Sequence, residues 1–379
     1  MDFVQVNNPL ITDEDKLAVM ETLDANWISS SGPAVALFEQ AWADYCGRKF
    51  GIAVANGTAA LELGVRALGI GPGDEVIIPS FTIISCASAV LLAGGIPVLV
   101  DVSFENFCID VTLIENAITS RTKAIMAVHI YGYAADMTRI QQLGKKYNLK
   151  IIEDAAEMHG GEIEISSDCW QKAGSFGEIS TFSFFVNKLI STGEGGMILT
   201  DDIEIANNLR LLRNLGFTEP RYLHKIQGFN YRITAMQAAL GLSQVPRMNE
   251  ILEIKSRMYL NYTFGLSKLG KFVRTPIYPK SIRSSYWVYP LITSSERVRD
   301  GLARYLLENG VETRNFFRPM SSQPFLSGKV VSHGEFTNSE KLSSCGLYLP
   351  SGLGLTENEQ NRVIELVKNY YSNSSETIE

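Results

Sequence analysis

Short apolar runs rich in β-branched residues recur through the first two-thirds of the chain, and segments with helical spacing lie between them. The runs fall at 51–55, 75–78, 98–102, 124–128, 150–153, 180–184 and 197–200. Several are apolar nearly throughout rather than alternating, the mark of strands buried on both faces. Between the first two, residues 59–68 place Leu61, Val65 and Leu68 on one helical face. Strands alternating with helices predict an α/β fold around a mostly parallel sheet covered on both sides.

After about residue 200 the pattern changes. Long helices are predicted over 203–214 and 235–264, the second interrupted near Pro246. A strand-like run at 286–292, a helix around 298–309 and a final helix over 357–371 follow. This places a large domain at 1–249 and a smaller α+β domain at 250–379. The polar tail that starts at Ser372 is expected to fray.

Composition narrows the class. A chain of 379 residues is long for one ordinary domain, and its 45% hydrophobic content can fill a sizeable core. A formal net charge of -7 argues against a nucleic-acid surface. Cys46, Cys86, Cys108, Cys169 and Cys345 are odd in number and scattered, with no C-x-x-C pair, which reads as a reduced cytosolic protein without disulfide framework or zinc site. The start Met1-Asp2-Phe3-Val4-Gln5 shows no signal-peptide pattern. Gly94, Gly95 and Pro97 break the most apolar stretch, 87–102, which is therefore not expected to span a membrane. The expectation is a cytoplasmic enzyme.

Three segments carry candidate chemistry. Lys188 follows the 180–184 strand by four residues and precedes Gly193-Glu194-Gly195-Gly196. That is where ligands gather in an α/β sheet, although a lone lysine there is more often solvated. Asp154 ends another apolar strand, in Glu153-Asp154-Ala155-Ala156-Glu157. Taken alone, Asp154 reads more readily as a helix N-cap, with Glu157 in a capping-box position. Asn56-Gly57-Thr58 opens a helix after a strand, and its free N–H groups and hydroxyl suit an anion. Together they meet the needs of pyridoxal 5'-phosphate (PLP): a lysine for the Schiff base, an acid for the pyridine nitrogen, and a phosphate cradle. His129 reads as a satisfied core histidine, and His159 as a weaker candidate for supporting the Asp154 segment.

Nearly the whole chain resembles the DegT/StrS family of PLP-dependent nucleotide-sugar aminotransferases. The resemblance is carried by Asn56-Gly-Thr-Ala-Ala-Leu61, Gly71-Pro-Gly-Asp-Glu-Val76, Glu153-Asp-Ala-Ala-Glu157, Phe182-Ser-Phe-Phe185, Asn187-Lys188, Thr192-Gly-Glu-Gly-Gly196, Gly228-Phe-Asn-Tyr-Arg232 and Arg314-Asn-Phe-Phe317. It implies the aspartate-aminotransferase fold, with a mostly parallel seven-stranded sheet in the large domain. By position, Lys188 resembles the Schiff-base lysine and proton shuttle, Asp154 the partner of the pyridine nitrogen, and Glu157 a neighbour of the ring hydroxyl. Gly57, Thr58 and Ser183 would hold the phosphate, completed by Asn230 from a second subunit, which implies a homodimer with shared sites. Trp27, Ser29, Tyr222, His224 and Arg314 would contact the sugar nucleotide. Trp27 and Phe316 suit core packing equally well.

The implied reaction moves the amino group of L-glutamate to a keto-deoxy sugar nucleotide for deoxyamino sugar, O-antigen or polysaccharide biosynthesis. Around Trp27-Ile-Ser-Ser30 and Arg221-Tyr-Leu-His224 the match is strongest to the branch that aminates C4 of GDP-4-keto-6-deoxymannose. C3 or C4 amination of a dTDP- or UDP-linked keto sugar is the alternative, and a PLP-binding regulator without turnover a more distant one. A dehydratase branch with histidine in place of the lysine is excluded by Lys188. Two segments depart from the family pattern. Ile83 stands where relatives commonly stack an aromatic on the cofactor ring, leaving an aliphatic contact or a shift of that role to Phe81. Residues 161–172 do not match the short basic hairpin usual there and suggest an altered loop.

Overall fold

The computed structural model describes residues 3–220 and 222–373, so Met1, Asp2, Arg221 and the end of the polar tail lie outside the described residues. Ser372 and Asn373, expected to fray, instead continue the last helix, Glu357–Asn373.

Two N-terminal helices, α1 (Asp13–Asp24) and α2 (Pro33–Cys46), precede the sheet. Its strands are β1 (Phe50–Val54), β2 (Glu75–Pro79), β3 (Ile96–Val100), β4 (Thr122–Val128) and β5 (Lys150–Asp154). A hairpin, β6 (Glu162–Ser166) and β7 (Cys169–Lys172), interrupts before β8 (Ile179–Ser183) and β9 (Gly196–Thr200). All seven runs anticipated from the pattern are therefore strands. They lie in the order β1-β9-β8-β5-β4-β2-β3, and the two residues Val331–Ser332 add an eighth, parallel edge strand beside β3. No periodicity could reveal a strand that short. Pairing is parallel from β3 through β2, β4 and β5 to β8, and only β9 runs antiparallel to both its neighbours. Every residue of β2 and β9 is buried, as strands with both faces covered require.

Helix α3 (Gly57–Ala67) crosses from β1 and is buried continuously from Ala59 to Val65. Gly64 permits this closeness, since a Cβ there would lie 2.3 Å from the Ile179 side chain. The expected break near Pro246 is a 3-10 turn, Val245–Arg247, joining helices Ala235–Gln244 and Met248–Gly265. Proline removes one N–H from the helical ladder there.

A second buried cluster, including Tyr262, Leu291, Leu306, Leu349 and Val363, packs around an antiparallel sheet of Val273–Arg274, Tyr289–Thr293, Gly346–Leu349 and Arg314–Asn315. Val4, from the other end of the chain, belongs to this cluster, whereas Phe316, Met320 and Leu342 pack into the first. The run expected over 286–292 starts as a strand only at Tyr289, because Tyr286 takes a left-handed φ of 49° that breaks extension. Residues 161–172 form the β6–β7 hairpin, joined by Ile282–Arg283, with Arg283 stacked 4.0 Å over Trp170. Among the described residues no helix is long and apolar enough to cross a membrane, and no acidic, His or Cys cluster suits a metal ion. All five cysteines are free.

Candidate active site

The ends of β4, β5 and β8 and the start of α3 open onto one cleft of about 630 Å³. No helix follows β5; residues 155–160 are turns and irregular backbone, so Asp154 and Glu157 are not a helix cap. Asp154 is 3% exposed. Its Oδ1 accepts the Ala156 N–H at 3.1 Å and the Thr181 hydroxyl at 3.4 Å, and its Oδ2 accepts the Cys86 thiol at 3.6 Å. Burial raises its pKa, against the pull of the Ala156 N–H and the Lys188 charge.

Lys188 sits in the turn after β8, its N–H donating to the Phe185 carbonyl at 2.8 Å. Its amine lies 3.6 Å from Oε1 of Glu157 and 3.7 Å from the centre of the Trp287 ring. Burial lowers its pKa, and the Glu157 and Asp154 charges offset this only in part. Glu157 Oε2 accepts the Tyr131 N–H at 3.0 Å, and burial pushes the carboxyl up to about 7 despite the nearby lysine.

At the far end of the cleft, Asn56 caps α3 by accepting the Ala59 N–H at 2.8 Å. The first-turn N–H groups of Gly57 and Thr58 remain for an anion. The Thr58 and Ser85 hydroxyls share a hydrogen bond of 2.8 Å, and Ser183 closes the opposite side. A Cβ on residue 57 would come within 2.8 Å of Ser183 Cβ, so the cradle needs glycine.

A rigid layer supports this floor. Fully buried Glu153 accepts N–H groups from Gly174 at 2.6 Å, Phe176 at 2.8 Å and Gly177 at 3.3 Å, and the Ser180 hydroxyl at 2.8 Å. Its fifth partner is His129 Nε2 at 3.0 Å; since His129 Nδ1 accepts the Ala135 N–H at 3.1 Å, Nε2 is the donor. His129 is thus the satisfied core histidine the sequence suggests. His159 packs against Trp42, Phe182 and Phe184, and burial lowers its pKa to about 3, so it is neutral.

Of the residues singled out in the sequence, Lys188, Asp154, Glu157, Gly57, Thr58, Ser183 and Arg314 all line this cleft. Trp27, Ser29, Tyr222, His224 and Asn230 are exposed and not among the residues lining it. Phe316 is core, 4.7 Å from Tyr131, whereas Trp27 is half exposed. Phe81 is fully buried against Tyr131, Phe316 and Phe317 and takes no stacking role; Ile83 lines the cleft instead. Sequence reasoning missed Trp287, Ser85 and Tyr348, which also line it. Their neighbourhood in sequence carries no signal, since each reaches the cleft from a different element.

These residues fit PLP. The cleft offers a largely buried amine held by no short hydrogen bond, a buried carboxylate, and an anion-ready helix turn whose glycine admits a group where a Cβ would clash. Such a site on a mostly parallel α/β sheet defines a PLP-dependent aminotransferase. Residues 9–368 match the DegT/DnrJ/EryC1/StrS aminotransferase family, and the chain belongs to that family. It is 42% identical to GDP-perosamine synthase of Caulobacter vibrioides, over 95% of this chain and 96% of that one. It is 34% identical to dTDP-3-amino-3,4,6-trideoxy-alpha-D-glucose transaminase of Streptomyces venezuelae, over 89% and 87%. The solved structure of S. venezuelae DesV superposes with a TM-score of 0.88 at 33% identity, covering 96% of this chain and 95% of that one.

Proposed function

We propose that the protein transfers the amino group of L-glutamate to C4 of GDP-4-keto-6-deoxymannose, as a cytoplasmic homodimer. The observation that carries the reaction type is the amine of Lys188, largely buried yet without a short hydrogen bond, in one cleft with Asp154. The choice of sugar rests on the 42% identity to a GDP-perosamine synthase.

When bound, PLP supplies the electron sink that makes a carbon beside the amino group acidic. Lys188 would hold it covalently, Asp154 would keep its ring nitrogen protonated, and Glu157 would face the ring hydroxyl. Gly57, Thr58 and Ser183 would bind its phosphate, with Asn230 of a second copy. Lys188 Nζ, favoured in its neutral form by burial, takes a proton from the α carbon of glutamate and later delivers one to the sugar carbon. Asp154 would stay ionised by pairing with the cationic ring, against the upward push of burial. Trp27, Ser29, Tyr222 and His224 would meet the nucleotide sugar across the dimer, and Arg314, already in the cleft, would reach its charged part. In this reading residues 1–249 form the cofactor-binding domain and 250–379 the smaller one; the second buried cluster, which apart from Val4 is drawn from Met258 to Tyr371, supports it, while Phe316, Met320 and Leu342 pack into the first.

The likeness to the dTDP-sugar transaminase favours one second reading, amination of a dTDP-linked keto sugar. A panel of GDP-, dTDP- and UDP-linked 3-keto and 4-keto sugars, with 2-oxoglutarate release as readout, separates the two. Turnover confined to dTDP sugars would sink the first reading. Turnover retained by Lys188→Ala would sink both.

A further inference from the structure

The amine of Lys188 rests on an aromatic face rather than in a hydrogen bond. Its Nζ lies 3.7 Å from the Trp287 ring centre, and its carboxylate neighbour, Glu157 Oε1, stands off at 3.6 Å. Trp287 is 3% exposed and tied at both ends. Its indole N–H donates at 2.7 Å to the carbonyl of Asn187, the peptide that leads into Lys188. Asn7 donates to that same carbonyl at 3.0 Å. The backbone carbonyl of Trp287 accepts from Nζ of Lys255 at 3.0 Å, and Lys255 also bonds the Ser351 carbonyl. Lys255 is itself 2% exposed, and among the described residues no carboxylate pairs with it. A buried lysine is tolerated only where fixed dipoles replace its water. Here those dipoles are the backbone carbonyls of Trp287 and Ser351. The left-handed Tyr286 delays the strand, leaving Trp287 outside it and on the cleft wall.

We propose that Trp287 is a positioning residue for Lys188: its indole face seats the lysine's amine whenever that amine is free, and Asn187 and Lys255 hold the seat in place. The inference rests on Lys188 being the cofactor lysine. A π face attracts the ammonium form, while its bulk excludes water and favours the neutral amine. The two effects oppose, which suits a group that must be protonated at one step and neutral at another. Glu157, Asp154 and His159 are the titratable groups whose charges couple to this amine.

Labelling of Lys188 with acetic anhydride across pH in the cofactor-free protein, read by mass spectrometry of its peptide, gives the amine's apparent pKa without any turnover. Trp287→Leu keeps apolar bulk but removes the π face, and the apparent pKa should fall by about one unit. Trp287→Phe keeps a π face and should move it by less than about half of that. An unmoved value in the Leu variant overturns the seat. A second measurement does not depend on that variant folding. Tryptophan emission of the cofactor-free wild type should show a pH step at the labelling midpoint, lost in both Lys188→Met and Trp287→Phe; no step in the wild type overturns the proposal. Borohydride reduction of the loaded protein, with peptide mapping, keeps the two readings apart. Attachment at another residue overturns the role of Lys188, whereas attachment at Lys188 with an unmoved labelling value in the Leu variant overturns only the seat.

Discussion

Gly57 and Ser183 face each other across the anion end of the cleft so closely that a Cβ on residue 57 would lie 2.8 Å from Ser183 Cβ and 3.2 Å from its Oγ. Helix α3 begins at Gly57, so the contact sets how near the first-turn N–H groups come to the end of β8. Gly57→Ala is expected to push these two elements apart, since 2.8 Å is closer than two such carbons can sit. PLP affinity should fall by about tenfold to a hundredfold, about 1–3 kcal/mol. Titration of the cofactor-free variant with PLP, followed by visible absorbance, checks this.

Glu153 needs an acceptor at both oxygens, because all five of its partners are N–H or O–H donors. Burial alone would raise its pKa, but His129 and the Gly174 and Phe176 N–H groups together bring it below the usual value. Glu153→Gln turns one acceptor into a donor and strands at least two buried N–H groups. A loss of about 2–4 kcal/mol is expected, seen as a lower unfolding midpoint in urea.

Glu157 gives stability a pH dependence of known sign. Its folded pKa of about 7 lies above its ordinary value of 4.5, so the folded state binds its proton more tightly than the unfolded chain. The stability this contributes is fully present below pH 4.5 and is lost as pH rises through 7. Between pH 5 and 7.5 the cofactor-free wild type should therefore lose about 2 kcal/mol relative to Glu157→Gln. Parallel urea curves for the two proteins across that window would refute the assignment.

Asn230 is exposed and is not among the residues lining the cleft of its own chain, consistent with service in a neighbouring site. If it completes the phosphate site of a second copy, Lys188→Ala and Asn230→Ala should each be inactive. Mixed and refolded together, they should recover about a quarter of wild-type activity, because half the dimers then carry one intact site. No recovery, with dimers present by light scattering, would count against shared sites.

Much of this was legible before any coordinates. The seven apolar runs became the seven long strands of the sheet, because strands buried on both faces must be apolar throughout. Lys188, Asp154 and Gly57-Thr58 could be singled out because each ends or closely follows a strand or opens a helix, and the ends of parallel strands share one edge of a sheet. What the sequence hid came through contacts with no period. Val331–Ser332 is too short to show a pattern, and Tyr286 breaks a run that looks continuous.

The chain by itself therefore determined the sheet, the lysine, the acid and the phosphate turn, since strand burial and punctuation are local properties. Only the tertiary structure decided what surrounds them. It placed Trp287 beneath the amine and Phe81 out of reach, turned Glu153 into a five-fold acceptor, and left Glu157 facing Lys188 across 3.6 Å. Those relationships join residues more than twenty positions apart. They are set by how elements pack, and no local pattern of residues encodes that.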